Sequence, residues 1–246
     1  MKKLIALTLL GWSLSNTLMA QEAGSSATQK FETDSTSVKA IAQKSEPPTA
    51  SPTPQIIPVP VETLIGSRGI FLTSTVNKQI SSIPNLGFFS VYSLVKEWEA
   101  NEIDDLMLQA HLTYKIYNGF SAVAGFHYTP ASNFRPTVGF MYSYANPDWT
   151  IVLFPRIDLT DKPNTEIFGF VEFKPRINDK FRFYSKIQGM YVHNLSHETH
   201  EKSGYNLRAG LAYKEFAFGA GFNADSYSPA KINKTNLGLF ASFALF

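Results

Sequence analysis

The chain has 246 residues, enough for one large domain or two small ones. A formal net charge of +2 is too small to point to a nucleic-acid partner, and the lack of cysteine excludes disulfides, thiolate chemistry and a lipid-modified cysteine. Aromatic residues make up 14% of the chain but are unevenly spread: Phe31 is the only one between Gln21 and Arg68, and from Gly69 onward they recur every few residues.

Residues 1–20, "MKKLIALTLLGWSLSNTLMA", carry two lysines, an apolar run from Leu4 to Leu14 and a small residue at Ala20. This is the layout of a cleaved secretory signal. The apolar run is shorter than the roughly 20 residues that a membrane-spanning helix needs. Residues 21–60 are rich in Ser, Thr, Gln, Ala and Pro. Such a segment cannot bury enough apolar surface to offset its ordering entropy, so a disordered tether is expected. A docking peptide for a periplasmic partner is the sharper alternative, with no specific residue to support it.

From Gly69 to Phe246, within a third region taken as residues 61–246, there is no good helical period and no apolar run of 18 residues. Segments of about ten residues alternate with period two instead. In "LMLQAHLTYKIY", Leu106, Leu108, Ala110, Leu112, Tyr114 and Ile116 form one face, and Met107, Gln109, His111, Thr113 and Lys115 the other. Similar alternation predicts strands at 69–77, 86–97, 105–117, 120–130, 135–146, 149–159, 165–175, 181–193, 204–214, 216–225 and 235–246. The apolar faces often begin and end on Tyr, Phe or Trp, as lipid-facing strands do. Joins alternate between tight ("YNGF", "NPDW", "YKEF") and loose ("NLSHETHEKSG", "SYSPAKINKT"), the pattern of short periplasmic turns and longer outer loops. Asn118-Gly119 is a strong two-residue hairpin signal.

Unpaired backbone groups are not tolerated in lipid, so the expected fold is all-β: a closed antiparallel transmembrane β-barrel. An even strand number requires ten strands or twelve. Twelve is preferred, adding a weakly patterned strand around Pro58 to Ile65. Pro155 and Pro175 would each delete a ladder donor and are expected at bulges or strand ends.

The final strand, "LFASFALF", carries Phe240, Phe243, Leu245 and the terminal Phe246. Here the chain resembles the small outer-membrane β-barrel proteins of Gram-negative bacteria, and segments such as "LRAGLAYKEFAFGAGFNADSYSP" look like barrels of the Bacteroidetes type. The resemblance covers about residues 60–246 and implies an outer-membrane location, with the tether in the periplasm. It also implies that the last strand is the signal read by the barrel assembly machinery. Outer-membrane lipid, that machinery and periplasmic chaperones are the expected partners; no nucleic acid and no cofactor is.

Alternation turns Lys96, Lys115, Arg135, Arg156, Arg182, Lys186 and Arg208 inward, with Asp158, Glu166, Glu172 and Asp225. A Lys or Arg facing lipid would cost about 2–4 kcal/mol near the midplane. Such charges either line a conducting pore or pair across the lumen and plug it. His193, His197 and His200 are close enough in sequence to be weak metal candidates, though their spacing fits a solvated outer loop better. A lipid hydrolase would need a serine against an oriented histidine. Ser121 and His127 share a face but stand roughly 20 Å apart along the strand, and His111 lies on the neighbouring strand. The expected function is a non-catalytic outer-membrane barrel, either a small passive pore or an envelope scaffold. An outer-membrane lipid-modifying hydrolase and, last, a surface adhesin are the alternatives.

Overall fold

A computed structural model describes residues 58–100, 105–228, 230 and 232–245. Residues 1–20, expected to be a signal peptide, residues 21–57 of the expected tether, and Phe246 lie outside the described residues. Twelve strands form one antiparallel sheet: β1 (Val59–Gly66), β2 (Gly69–Gln79), β3 (Leu86–Glu97), β4 (Asp105–Tyr117), β5 (Phe120–Thr129), β6 (Asn133–Ala145), β7 (Trp149–Asp158), β8 (Asn164–Phe173), β9 (Phe181–Asn194), β10 (Thr199–Tyr213), β11 (Phe216–Tyr227) and β12 (Ile232–Leu245). Each strand pairs with its neighbours in sequence, and β1 pairs with β12 to close the barrel. The weakly patterned segment before Gly66 is therefore a full wall strand, running from Val59↔Leu245 to Gly66↔Gly238.

The pleat sorts side chains as a lipid-facing wall requires. Leu237 and Leu239 are 63% and 72% exposed, whereas Asn236 and Phe240 on the same strand are 2% exposed. Leu112, Tyr114, Phe140 and Ile167 are likewise more than half exposed. Aqueous exposure of so continuous an apolar surface would be untenable, and a closed sheet leaves no unpaired edge in hydrocarbon, so this is a transmembrane barrel.

Two expectations about the connections are corrected. At the rim that carries Val59 and Leu245, the joins span 80–85, 118–119, 146–148, 174–180 and 214–215; at the far rim they span 67–68, 98–104, 130–132, 159–163, 195–198 and 228–231. Neither rim is uniformly tight. Much of what reads as long loop is strand: β9 runs to Asn194 and β10 starts at Thr199. Beyond the apolar belt both strand faces are polar, so the period-two signal fades while the hydrogen-bond ladder continues. The second correction is Pro155. It sits inside β7 without a register shift, but no pairs form at Phe140 and Met141 opposite Pro155 and Phe154. The missing donor opens the ladder locally instead of bulging it. Pro175 lies beyond the end of β8, where its carbonyl accepts from the Phe183 amide at 2.9 Å. Gly119, with φ of 80°, makes the tight β4–β5 turn.

A packed lumen as the candidate functional site

Inward side chains from opposite walls meet. Phe89 on β3 lies 6.4 Å, centroid to centroid, from Phe168 on β8, five strands away round the wall. Phe154 packs edge-on against Phe89 at 5.4 Å and against His111 at 4.9 Å. All three phenylalanines are essentially inaccessible to solvent. Val91, Met107, Val123, Met141 and Val152 complete this apolar cluster. A second cluster, built on Leu64, Phe71, Tyr184 and Phe240, fills the lumen beside β1. About eight strands make an interior that side chains alone can fill; twelve make a wider one. Closing it takes large inward residues from facing walls.

Ion pairs complete the filling. Arg156 donates to Asp158 at 2.7 Å and to Glu166 at 2.6 Å. Gln109 donates to the other Glu166 oxygen at 2.7 Å, and Arg135 to Asp158 at 2.9 Å. Arg208 donates to Glu62 at 2.8 Å and to Asn223 at 2.7 Å, with Lys186 3.6 Å from Glu62. Towards the far rim, Arg68 bridges Glu97 (2.7 Å) and Asp225 (2.9 Å), and Lys234 reaches Glu97 at 2.6 Å. Lys202 on β10 pairs with Asp105 on β4, six strands away, and Tyr227 donates to the same carboxylate at 3.0 Å. Burial alone disfavours the charged form of Arg68, but its hydrogen bond to Glu97 and the charge of Asp225 outweigh that and raise its pKa above the ordinary arginine value. At the rim that carries Val59 and Leu245, Arg182 holds Asp148 at 2.6 Å, and Glu172 takes Lys174 at 2.7 Å and the Tyr184 hydroxyl at 2.9 Å.

Arg135, Arg156, Asp158, Glu166, Glu172, Arg182, Lys186, Arg208 and Asp225 thus stand on inward positions. Lys96 differs. Buried Phe89, Val91 and Val95 fix the inward parity of β3 as odd, so Lys96 is on the outward parity and Glu97 is its inward neighbour. Lys96 lies near the far rim, where its ammonium donates to the Ala100 carbonyl. Lys115 stands opposite buried Ser121, on the inward parity of β4, and is exposed at the other rim. The expectation that Lys96 lines the lumen is corrected accordingly: β3 is apolar on both faces, so its phase is not legible from hydropathy. Glu62, Arg68, Glu97, Asp105, Lys202 and Lys234 were missed. Arg68 sits in a turn and the others near strand ends or in the weakly patterned β1, where alternation is least legible.

In the last strand Phe240 points inward, while Phe243 and Leu245 point outward; Phe243 packs on Phe216 at 4.8 Å. His193 and His200 face each other across β9 and β10, where Tyr191 stacks on both. His197 is in the 195–198 join. Among the described residues, no group of three or more His, Asp or Glu is arranged to hold a metal ion. His111 shares its Nε2 with the Thr137 hydroxyl at 2.8 Å, and Ser121 is buried on the β5 inner face.

No protein-family model matches this chain, and no curated protein matches it. Among solved structures, a NanC porin is 13% identical with a TM-score of 0.44, over 77% of this chain and 99% of that one. A KdgM porin is 12% identical with a TM-score of 0.42, over 77% and 100%. LpxR from Salmonella typhimurium is 8% identical with a TM-score of 0.38, over 77% and 100%. Likeness this remote carries no inference about what this barrel does.

Proposed function

We propose that this chain is a small, non-catalytic outer-membrane barrel of the pore-or-scaffold kind, and that its lumen rests closed. The contact between Phe89 and Phe168 from facing walls carries this reading. The buried ion pairs around Arg156 and Arg208 support it, because paired opposite charges occlude a lumen where unpaired charges of one sign would select ions. A passive pore of small bore has its own support. Gln109 Oε1, Nδ1 of His111 and of His127, and Arg156 Nε have no hydrogen-bond partner among the described residues. Unspent capacity of this kind suits a narrow aqueous path once the phenylalanines part.

On this reading the segment before Val59 lies in the periplasm, since β1 and β12 begin and end at one rim. The assembly machinery then reads the last strand with Phe243 and Leu245 outward.

Conductance of the mature protein in a planar bilayer tests the proposal, with folding confirmed by heat-modifiable gel mobility. The expected record is a largely silent membrane with rare, brief steps. Steady, reproducible conductance would overturn the closed resting state. Release of fatty acid from phospholipid vesicles would overturn the non-catalytic reading.

A further inference from the structure

The outer wall over β4 to β8 is grooved. The groove has a volume of about 780 Å³ and runs obliquely from Leu86 and Tyr114 near one rim to Ile167 on β8. Its geometry follows from cross-strand pairing. Ala122 and Ala124 on β5 lie between two ridges: Tyr114 and Leu112 are directly opposite on β4, and Phe140 and Val138 directly opposite on β6. Two small side chains flanked on both sides by large ones make a gutter. Pro155 extends it, facing outward where the β6–β7 ladder lacks pairs and flanked on β8 by Ile167. Gly139 lets the two strands close beside it, since a Cβ there would come within 2.3 Å of the Pro155 carbonyl oxygen.

We propose that this groove holds the acyl chain of one phospholipid, bound as a fixed component of the protein. The inference rests on the membrane-spanning reading given above. The groove is continuous with the lipid-facing surface, and its outward side chains are hydrocarbon but for the hydroxyls of Tyr114 and Thr165. A straight, saturated chain follows a gutter of this kind; a bilayer chain crossing an even wall is not so confined. The headgroup belongs at the end marked by Tyr114, whose ring packs in the groove and whose hydroxyl can donate to a phosphate. Occupancy also covers the backbone left unpaired at Pro155, which would otherwise face mobile lipid.

The test is native mass spectrometry of the mature barrel released from vesicles of phosphatidylethanolamine and phosphatidylglycerol. Wild-type protein is expected to retain one phospholipid. Ala124→Phe, which fills the gutter floor, is expected to reduce retention roughly tenfold. Ala220→Phe, on the outward face of β11 and away from the groove, is expected to leave it unchanged. Three results would overturn the proposal: wild-type protein that keeps no lipid, Ala124→Phe that keeps as much as wild type, or a wild-type dimer that Ala124→Phe dissolves. Insertion into the vesicles is scored separately by heat-modifiable mobility. A chain that fails to insert sinks the membrane-spanning reading; one that inserts and keeps no lipid sinks the groove alone.

Discussion

Glu62 and Arg208 show what single residues do in this lumen. Their side chains are 4% and 0% exposed, and they touch at 2.8 Å. Two charges so placed lose hydration and regain much of it through each other, with Lys186 3.6 Å from Glu62 and Asn223 2.7 Å from Arg208. Removing Arg208 leaves Glu62 buried with Lys186 alone, which costs up to about 3–5 kcal/mol, whereas replacing all three charges by apolar residues of similar size is close to neutral. Arg208→Ala should therefore lower the urea midpoint of refolded protein in vesicles sharply, and Glu62→Met with Lys186→Met and Arg208→Met should restore most of it. Equal losses in the single and the triple variant would show that these charges are not what holds the strands. The sequence made Arg208 legible because Leu207 and Ala209 flank it on a clean alternating strand. Glu62 was not legible, because β1 has Pro60 and only eight residues, too short a run for its parity to be read without its partners.

At the scale of a strand, burial on one face and exposure on the other set a depth-dependent tolerance for charge. Leu239 lies midway along β12 on the outward face, and Leu245 lies at its end on the same face. Leu239→Arg should cost about 2–4 kcal/mol and Leu245→Arg about 0–1, because an arginine near the rim reaches the interface. Equilibrium unfolding in vesicles measures both. Similar costs at the two sites would mean that Leu239 does not sit in hydrocarbon. The strands themselves were readable for the same reason: wherever one face meets lipid, alternation is strict. Only the strand ends were misread, as at β9 and β10, because past the apolar belt both faces are polar while the backbone pairing goes on.

Across the whole barrel, the state of the lumen turns on residues that sequence reading left aside. Charges drew attention because a charge cannot face lipid. Inward phenylalanines carry no such signature. The trace they leave is a strand that is apolar on both faces: Phe88 beside Phe89 in β3, and Ile167 beside Phe168 in β8. In a wall with lipid on one side, apolar residues on the other side mean a core instead of a channel. Phe89 touches Phe154 and Phe168, on β7 and β8 across the lumen, as well as its cross-strand neighbour His111 on β4. Phe89→Ala should destabilise the barrel by about 3–5 kcal/mol through the cavity it leaves. Because that cavity adjoins the polar layer at Gln109, His111 and Arg156, water should enter it, and the variant should show frequent, resolvable conductance steps in a bilayer where wild type is nearly silent. Phe88→Ala, on the outward face of the same strand, should leave conductance at the wild-type level. If Phe89→Ala folds and stays silent, the two ion-pair layers close the lumen without the phenylalanines, and a Phe89→Ala, Arg156→Ala pair becomes the variant in which steps must appear for the lumen to be a path at all.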